Sequence, residues 1–127
     1  MQRNLSCLCH AVAAMLFSGL SLCGTAAETS YPQRPIRFVI PQSPGGASDT
    51  VGRVVAQKLS ESLGQPFVID NRPGATGNVG AELVKNAPAD GYTMLLTAAN
   101  LVTSPGLYAR VPFDPIRDFA PVSQLAQ

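Results

Sequence analysis

Beyond Glu28 the chain has no cysteine, no histidine and no tryptophan. Its three cysteines (Cys7, Cys9, Cys23) and its single histidine, His10, all precede that point. The part from Glu28 onward therefore cannot form disulfides, Cys/His metal sites, Cys–His nucleophiles or a Ser–His–Asp triad from its own residues. Charge is also scarce, at 13 % of the sequence, and it is balanced. Arg3 is the only one of nine Lys/Arg ahead of Glu28, which leaves eight against eight Asp/Glu. No basic stripe of the kind that grips nucleic acid is present. There is no G-x-x-x-x-G-K-[ST] run either, so a phosphate-cradling P-loop is excluded.

What is present begins with an N-terminal apolar run. Arg3 supplies a short basic start, Leu5 to Leu22 is largely apolar and small, and Thr25-Ala26-Ala27 offers a small-x-small cleavage site. This is the layout of a secretory signal peptide over residues 1–27. Ser6, His10, Ser18 and Ser21 interrupt the run and no basic stop-transfer cluster follows, which speaks against a membrane span. Leu22 before Cys23 is not the small residue that a lipoprotein signal requires. The expected destination is the periplasm.

The rest reads as βαβαβ, an α/β chain with a parallel sheet. Ile36 to Ile40 is a short buried-strand pattern. Ser48 or Asp49 is the expected N-cap of a first helix, whose Val51, Val54, Val55, Leu59 and Leu63 share one face. Gly64 and Pro66 end that helix. Phe67 to Asp70 is the second strand, and a second helix is expected over about Asn78 to Asn86 with Val79, Leu83 and Val84 inward. Pro88-Ala89-Asp90-Gly91 is a turn, and Tyr92 to Thr97 the third strand. Ser104-Pro105 has the form of an N-cap and N1 pair that would open a third helix. Pro112 to Pro121 should be irregular, with a further short strand at Val122 to Leu125.

In such sheets ligands bind beyond the carboxyl ends of the strands, where helix N-termini converge. Three loops should meet there: Ser43 to Asp49, Gly74 to Asn78, and Ala98 to Ser104. Glycine lets a ligand approach the backbone, and a helix start offers unpaired N–H groups to an anion. With no lysine in the loop, a carboxylate suits it better than a nucleotide. The candidate ligand residues are Ser43, Gly45, Gly46, Ser48 and Asp49 in the first loop, Thr76, Gly77 and Asn78 in the second, and Ala99 and Asn100 in the third. Each has a bland alternative. The glycines can be simple turns, and Asp49 a cap rather than a contact, since its carboxylate would repel an anion. Arg72 can clamp a carboxylate or pair with Asp70. Asp90, Asp114 and Asp118 read as turn and capping carboxylates, and nothing places them as a catalytic acid/base pair. No cofactor and no metal are implied.

The motifs in order resemble the Bug-type family, the extracytoplasmic solute receptors of tripartite tricarboxylate transporters. They are Tyr31-Pro32 with Arg34-Pro35-Ile36, Pro44-Gly45-Gly46 with Asp49, Leu63-Gly64-Gln65-Pro66 and Asn71-Arg72-Pro73-Gly74-Ala75. Gly77-Asn78 with Gly80-Ala81-Glu82, Asp90-Gly91-Tyr92-Thr93, and Asp114-Pro115 with Asp118-Phe119-Ala120-Pro121-Val122 continue the series. The resemblance implies a periplasmic-binding-protein fold whose two α/β lobes close on a small carboxylate, a di- or tricarboxylate or an acidic amino acid. It also implies delivery to a membrane permease, and no enzymatic activity. Two positions depart from the family pattern: Gln42 stands where phenylalanine is usual, and Thr76 where glycine is frequent.

Family members run well beyond this length. The expectation is accordingly an incomplete first lobe over residues 28–121, the start of a crossover at 122–127, and a second lobe absent. The alternatives are a remnant without function, or an exported α/β nucleotide-binding enzyme using the glycine loops.

Overall fold

The computed structural model describes residues 30–125, so the expected signal peptide and the last two residues lie outside the described residues. The chain folds as strand β1 (Ile36–Ile40), helix α1 (Ala47–Leu63), strand β2 (Phe67–Asn71), a short turn (Ala75–Gly77), helix α2 (Asn78–Lys85), strand β3 (Thr93–Leu95) and helix α3 (Asn100–Leu107). The three strands form one parallel sheet in the order β2-β1-β3. β1 is central because it is the most apolar strand: Ile36, Val39 and Ile40 are fully buried and Phe38 nearly so. Its register sets Phe38 against Ile69 on one side and Met94 on the other. All three strand ends therefore point the same way, toward the loops that precede the helices.

The core lies between the sheet and α1. Ile36, Phe38, Phe67 and Ala56 form its centre, flanked by Val55, Leu59, Ile69, Met94 and Leu96. Phe38 meets Phe67 edge to face, with ring centroids 6.1 Å apart. Gly64, left-handed at φ 68°, ends α1 as expected. Ser60 fastens that end to the next strand: its hydroxyl donates to the Ala56 carbonyl at 2.6 Å and accepts from the Phe67 amide at 2.9 Å.

Several expected details differ, each for a physical reason. α1 starts at Ala47 with Gly46 as its N-cap, ahead of both Ser48 and Asp49. Its fully buried residues are Asp49, Gly52 and Ala56; of the expected stripe Val55 and Leu59 pack partly buried against the core, whereas Val51 and Val54 are 43 % and 60 % exposed. Close approach to the sheet selects this face, because a Cβ on Gly52 would lie 2.5 Å from Ile40 Cδ1. α2 likewise buries Asn78, Gly80 and Ala81 and leaves Val79 half exposed. α3 begins at Asn100 and carries Pro105 inside it. A proline there removes the donor to the Leu101 carbonyl, and the helix ends within three residues. β3 is shorter than Tyr92 to Thr97, although its pairing continues through Arg37 N–H to the Tyr92 carbonyl and Leu96 N–H to the Val39 carbonyl. Val122 to Leu125 is not a strand.

The segments outside the sheet are tied to it. Tyr31 donates to the Gly91 carbonyl at 2.7 Å, and Arg34 pairs with Asp90 while lying 4.2 Å over the Tyr92 ring. The irregular Pro112–Pro121 stretch buries Phe113 against Phe119. Lys85 holds that stretch through the Pro112 carbonyl at 2.7 Å and Asp118 at 3.0 Å. Asp114 accepts from the Ile116 and Arg117 amides, as a turn carboxylate does. No helix among the described residues is long and apolar enough to cross a membrane.

Candidate functional site

The first loop leaves β1 at Pro41 and enters α1 at Ala47. Its organiser is Asp49, only 3 % exposed. One carboxylate oxygen accepts from the Gly45 amide and from Arg53 Nε, both at 2.9 Å, and the other accepts from Asn71 Nδ2 at 3.0 Å. Arg53, the Gly45 amide and Asn71, in that order, lower its pKa to about 2. Asp49 thus reaches back over the helix start and joins the loop to the end of β2. The helix start itself has no side-chain cap, since its N-cap is glycine. The first-turn amides of Ala47 and Ser48 have no acceptor within the helix.

The second loop is strained. Gly74, Ala75, Thr76 and Gly77 have φ of 136°, 45°, 57° and 98° in succession, closed by a 2.8 Å bond from the Gly77 amide to the Gly74 carbonyl. A left-handed residue other than glycine costs on the order of 1 kcal/mol or more, and two stand here side by side. Such a conformation persists only where its surroundings over-determine it. Asn100 Nδ2 donates to the Thr76 carbonyl at 2.7 Å, and the Thr76 hydroxyl meets the Tyr108 hydroxyl at 2.5 Å. A Cβ on Gly77 would lie 2.6 Å from Asn100 Nδ2, and one on Gly80 would lie 2.7 Å from Pro41 Cβ. The loop is pressed between β1 and α3.

The third loop is arranged by Asn100. Its Oδ1 accepts from the Ala98 amide at 3.3 Å and from the Thr97 hydroxyl at 3.4 Å, while its Nδ2 binds the second loop. One side chain therefore fixes two loops at once.

The loops enclose an open pocket of about 480 Å³ beyond the strand ends. Pro41, Gln42 and Ser43 line it from the first loop, Pro73, Gly74, Thr76 and Gly77 from the second, and Ala98, Ala99 and Asn100 from the third. Of the residues singled out from sequence, Ser43, Thr76, Gly77, Ala99 and Asn100 are in this lining. Gly45 and Gly46 lie on the first loop and Ser48 in the first turn of α1, all outside it, and Asp49 and Asn78 are buried and not part of the lining. Pro41, Gln42, Pro73, Gly74 and Ala98 were not singled out. For Pro41 and Gln42 the signal was their place directly after the strand.

No ionisable side chain lines the pocket. Arg72, the nearest candidate by sequence, turns to Asp70 at 2.8 Å, and Arg37 pairs with the same carboxylate. Burial opposes ionisation of Asp70, but the two guanidinium groups outweigh it and lower its pKa. Those three residues belong to a separate concavity of about 420 Å³ at the β2 side of the sheet, with Pro35, Val68 and Ile69. Among the described residues no group of three or more His, Cys, Asp or Glu could hold a metal. The pocket is thus an uncharged wall in which proline, alanine and glycine surfaces lie beside the Gln42, Ser43, Thr76 and Asn100 side chains. It can orient a polar solute, and it holds no acid/base pair or activated nucleophile with which to transform one.

Residues 51–127 match the sequence model of the TctC family, the tripartite tricarboxylate transporter family receptor. A curated relative from Pseudomonas sp. (strain P51), a UPF0065 protein in the tcbD-tcbE intergenic region, is 42 % identical over 113 residues, 84 % of this chain and 34 % of that protein. The structure of the periplasmic binding protein BugD is 38 % identical, with a TM-score of 0.69 over 72 % of this chain and 30 % of BugD. MatC from Rhodopseudomonas palustris, solved with bound malate, is 33 % identical with a TM-score of 0.69, over 72 % of this chain and 32 % of MatC. The chain spans about a third of the length of the relatives it matches.

Proposed function

The chain belongs to the tripartite tricarboxylate transporter receptor family, and from that premise we propose that it contributes the first-lobe wall of a site that captures a small carboxylate. The family is one of solute receptors, not of enzymes. The observation that supports the ligand class is the lining of the pocket: it is uncharged, it carries the Gln42 and Ser43 side chains beside a Thr76 and an Asn100 that are bonded within the loops, and no side-chain carboxylate lines it to repel an anion. Helix α1 adds the positive end of its dipole beside this wall. That MatC is solved with malate makes a dicarboxylate the first ligand to try.

Family receptors are periplasmic. Export by cleavage after residue 27 and delivery of the solute to the transporter's membrane permease complete the reading. The signal layout of residues 1–27 supports the first, and family membership the second. The mass of the protein recovered from the periplasm tests the cleavage.

Titration calorimetry with malate, alongside monocarboxylates, tricarboxylates and acidic amino acids, tests the binding. Saturable heat with one of the acids, accompanied by a rise in Tm, is expected, because a ligand that binds only the folded chain stabilises it by about 2.7 kcal/mol at a hundredfold excess over Kd. No heat and no Tm shift with any of these acids at millimolar concentration would refute it.

A further inference from the structure

We infer that Tyr108 and Asn100 are positioning residues of this pocket: they clamp Thr76 in the left-handed conformation that places the second loop's backbone in the pocket wall. The inference rests, for its link to ligand affinity, on the carboxylate reading above. Its conformational core stands on the geometry alone.

Ala75 and Thr76 have φ of 45° and 57°, where a Cβ is unfavourable, yet neither is glycine. Thr76 is exposed, so packing does not force it into that state. What holds it is polar: the Gly77 amide closes the turn on the Gly74 carbonyl at 2.8 Å, and two further bonds come from both ends of one helix. Asn100, in the first turn of α3, donates to the Thr76 carbonyl at 2.7 Å. Tyr108, just past the last turn, bonds the Thr76 hydroxyl at 2.5 Å. Helix α3 thereby spans the turn like a bracket, gripping the backbone of one residue at one end and its side chain at the other. Tyr108 does not line the pocket, whereas Thr76 does. The tyrosine acts through Thr76.

A glycine at position 76 would populate positive φ without a clamp. The test is therefore a cycle of Tyr108→Phe and Thr76→Gly, with Asn100→Ala as a second probe of the same bracket. The backbone at Thr76 is followed by the three-bond HN–Hα coupling and by ¹³C shifts in the full chain, which needs no ligand. Malate titration of the same variants gives the affinity. In Tyr108→Phe, Thr76 should leave the left-handed state in part, and malate should bind roughly tenfold more weakly, with the overall fold retained. Asn100→Ala should act in the same direction. On the Thr76→Gly background, Tyr108→Phe should change neither readout.

An unaltered left-handed Thr76 in both Tyr108→Phe and Asn100→Ala would overturn the clamp. So would a tenfold loss that persists on the glycine background, because Tyr108 would then act on the ligand by another route. If the unsubstituted chain binds no malate, the carboxylate reading is the one in question, and the coupling data still decide the clamp.

Discussion

The two glycine loops each follow a parallel strand and open a helix, but they are held in different ways. In the first, Gly45 has φ of 83° and a Cβ there would meet nothing within 4 Å, while Gly46 has φ of −78° and only ordinary contact with the Ser43 carbonyl. That loop has room, and a buried carboxylate, Asp49, gives it its shape. In the second, Gly77 and Gly80 are buried against Pro41 and Asn100, and the residues between Gly74 and Gly77 are left-handed without being glycine. Packing and two hydrogen bonds from α3 shape this one. A glycine in one loop is a hinge with space around it, and in the other it is a gap filled by its neighbours.

Alanine substitution should separate the loops most sharply at their left-handed glycines. Gly77→Ala combines a strained φ with a Cβ placed 2.6 Å from Asn100 Nδ2. It should lower stability by about 2–4 kcal/mol in urea unfolding. Gly45→Ala carries only the φ penalty, about 1 kcal/mol. Equal losses would dissolve the contrast.

Gly80→Ala should cost about 1–2 kcal/mol in the same assay. The usual gain of alanine over glycine within a helix is outweighed by contact at 2.7 Å with Pro41 Cβ and 3.0 Å with its Cα, which is backbone and cannot turn aside. A stabilised Gly80→Ala would mean that the second loop has slack.

The first loop should instead be sensitive to pH. The folded Asp49 carboxyl is held at about 2, below its unfolded value near 3.9. Its stabilising contribution is thus complete above that unfolded value and fades as pH falls through about 2. The gap in Tm between the native chain and Asp49→Asn should be largest near neutrality and close over that acid window. A gap independent of pH would show that the ion pair with Arg53 does not shape the loop.

The smallest effect on stability is expected at Gly46→Val, within about 0.5 kcal/mol, because its backbone is already in an extended region open to any residue. Calorimetry on this variant is the informative part. Weaker malate binding at unchanged Tm would bring the first loop's amides into the ligand site, and unchanged affinity would leave the site to the other two loops and the residues Pro41 to Ser43.

Much of this was legible in the chain itself. The bounds of β1, the end of α1 at Gly64, the parallel βαβαβ order and the Asp70–Arg72 pairing follow from apolar runs, a left-handed glycine and charges two residues apart. The start of α2 at Asn78 followed as well, but those of α1 and α3 did not. Asp49 sits inside the first turn and accepts from the Gly45 amide ahead of the helix rather than capping a first-turn amide, so the N-cap falls on Gly46. Pro105 looked like a first-turn residue because the sequence does not show that α3 had already begun at Asn100. Of the expected stripe of α1, Val55 and Leu59 pack against the core, but the sheet comes so close at Gly52 and Ala56 that these small residues are the buried ones, and Val51, Val54 and Leu63 stay exposed.

The sequence by itself determined the class of the molecule: an α/β chain that carries neither thiol nor imidazole from Glu28 onward, with small and polar residues after each strand. Local chemistry suffices for that, since strand periodicity, glycine turns and missing residue types are properties of neighbours in the chain. Only the tertiary structure decided which loop residues line the pocket, that Asp49 and Asn78 are buried outside its lining, and that Asn100 and Tyr108 bond Thr76. Those contacts join residues 22 to 32 positions apart, and no local pattern encodes a distance that exists only once the sheet has brought its strand ends together.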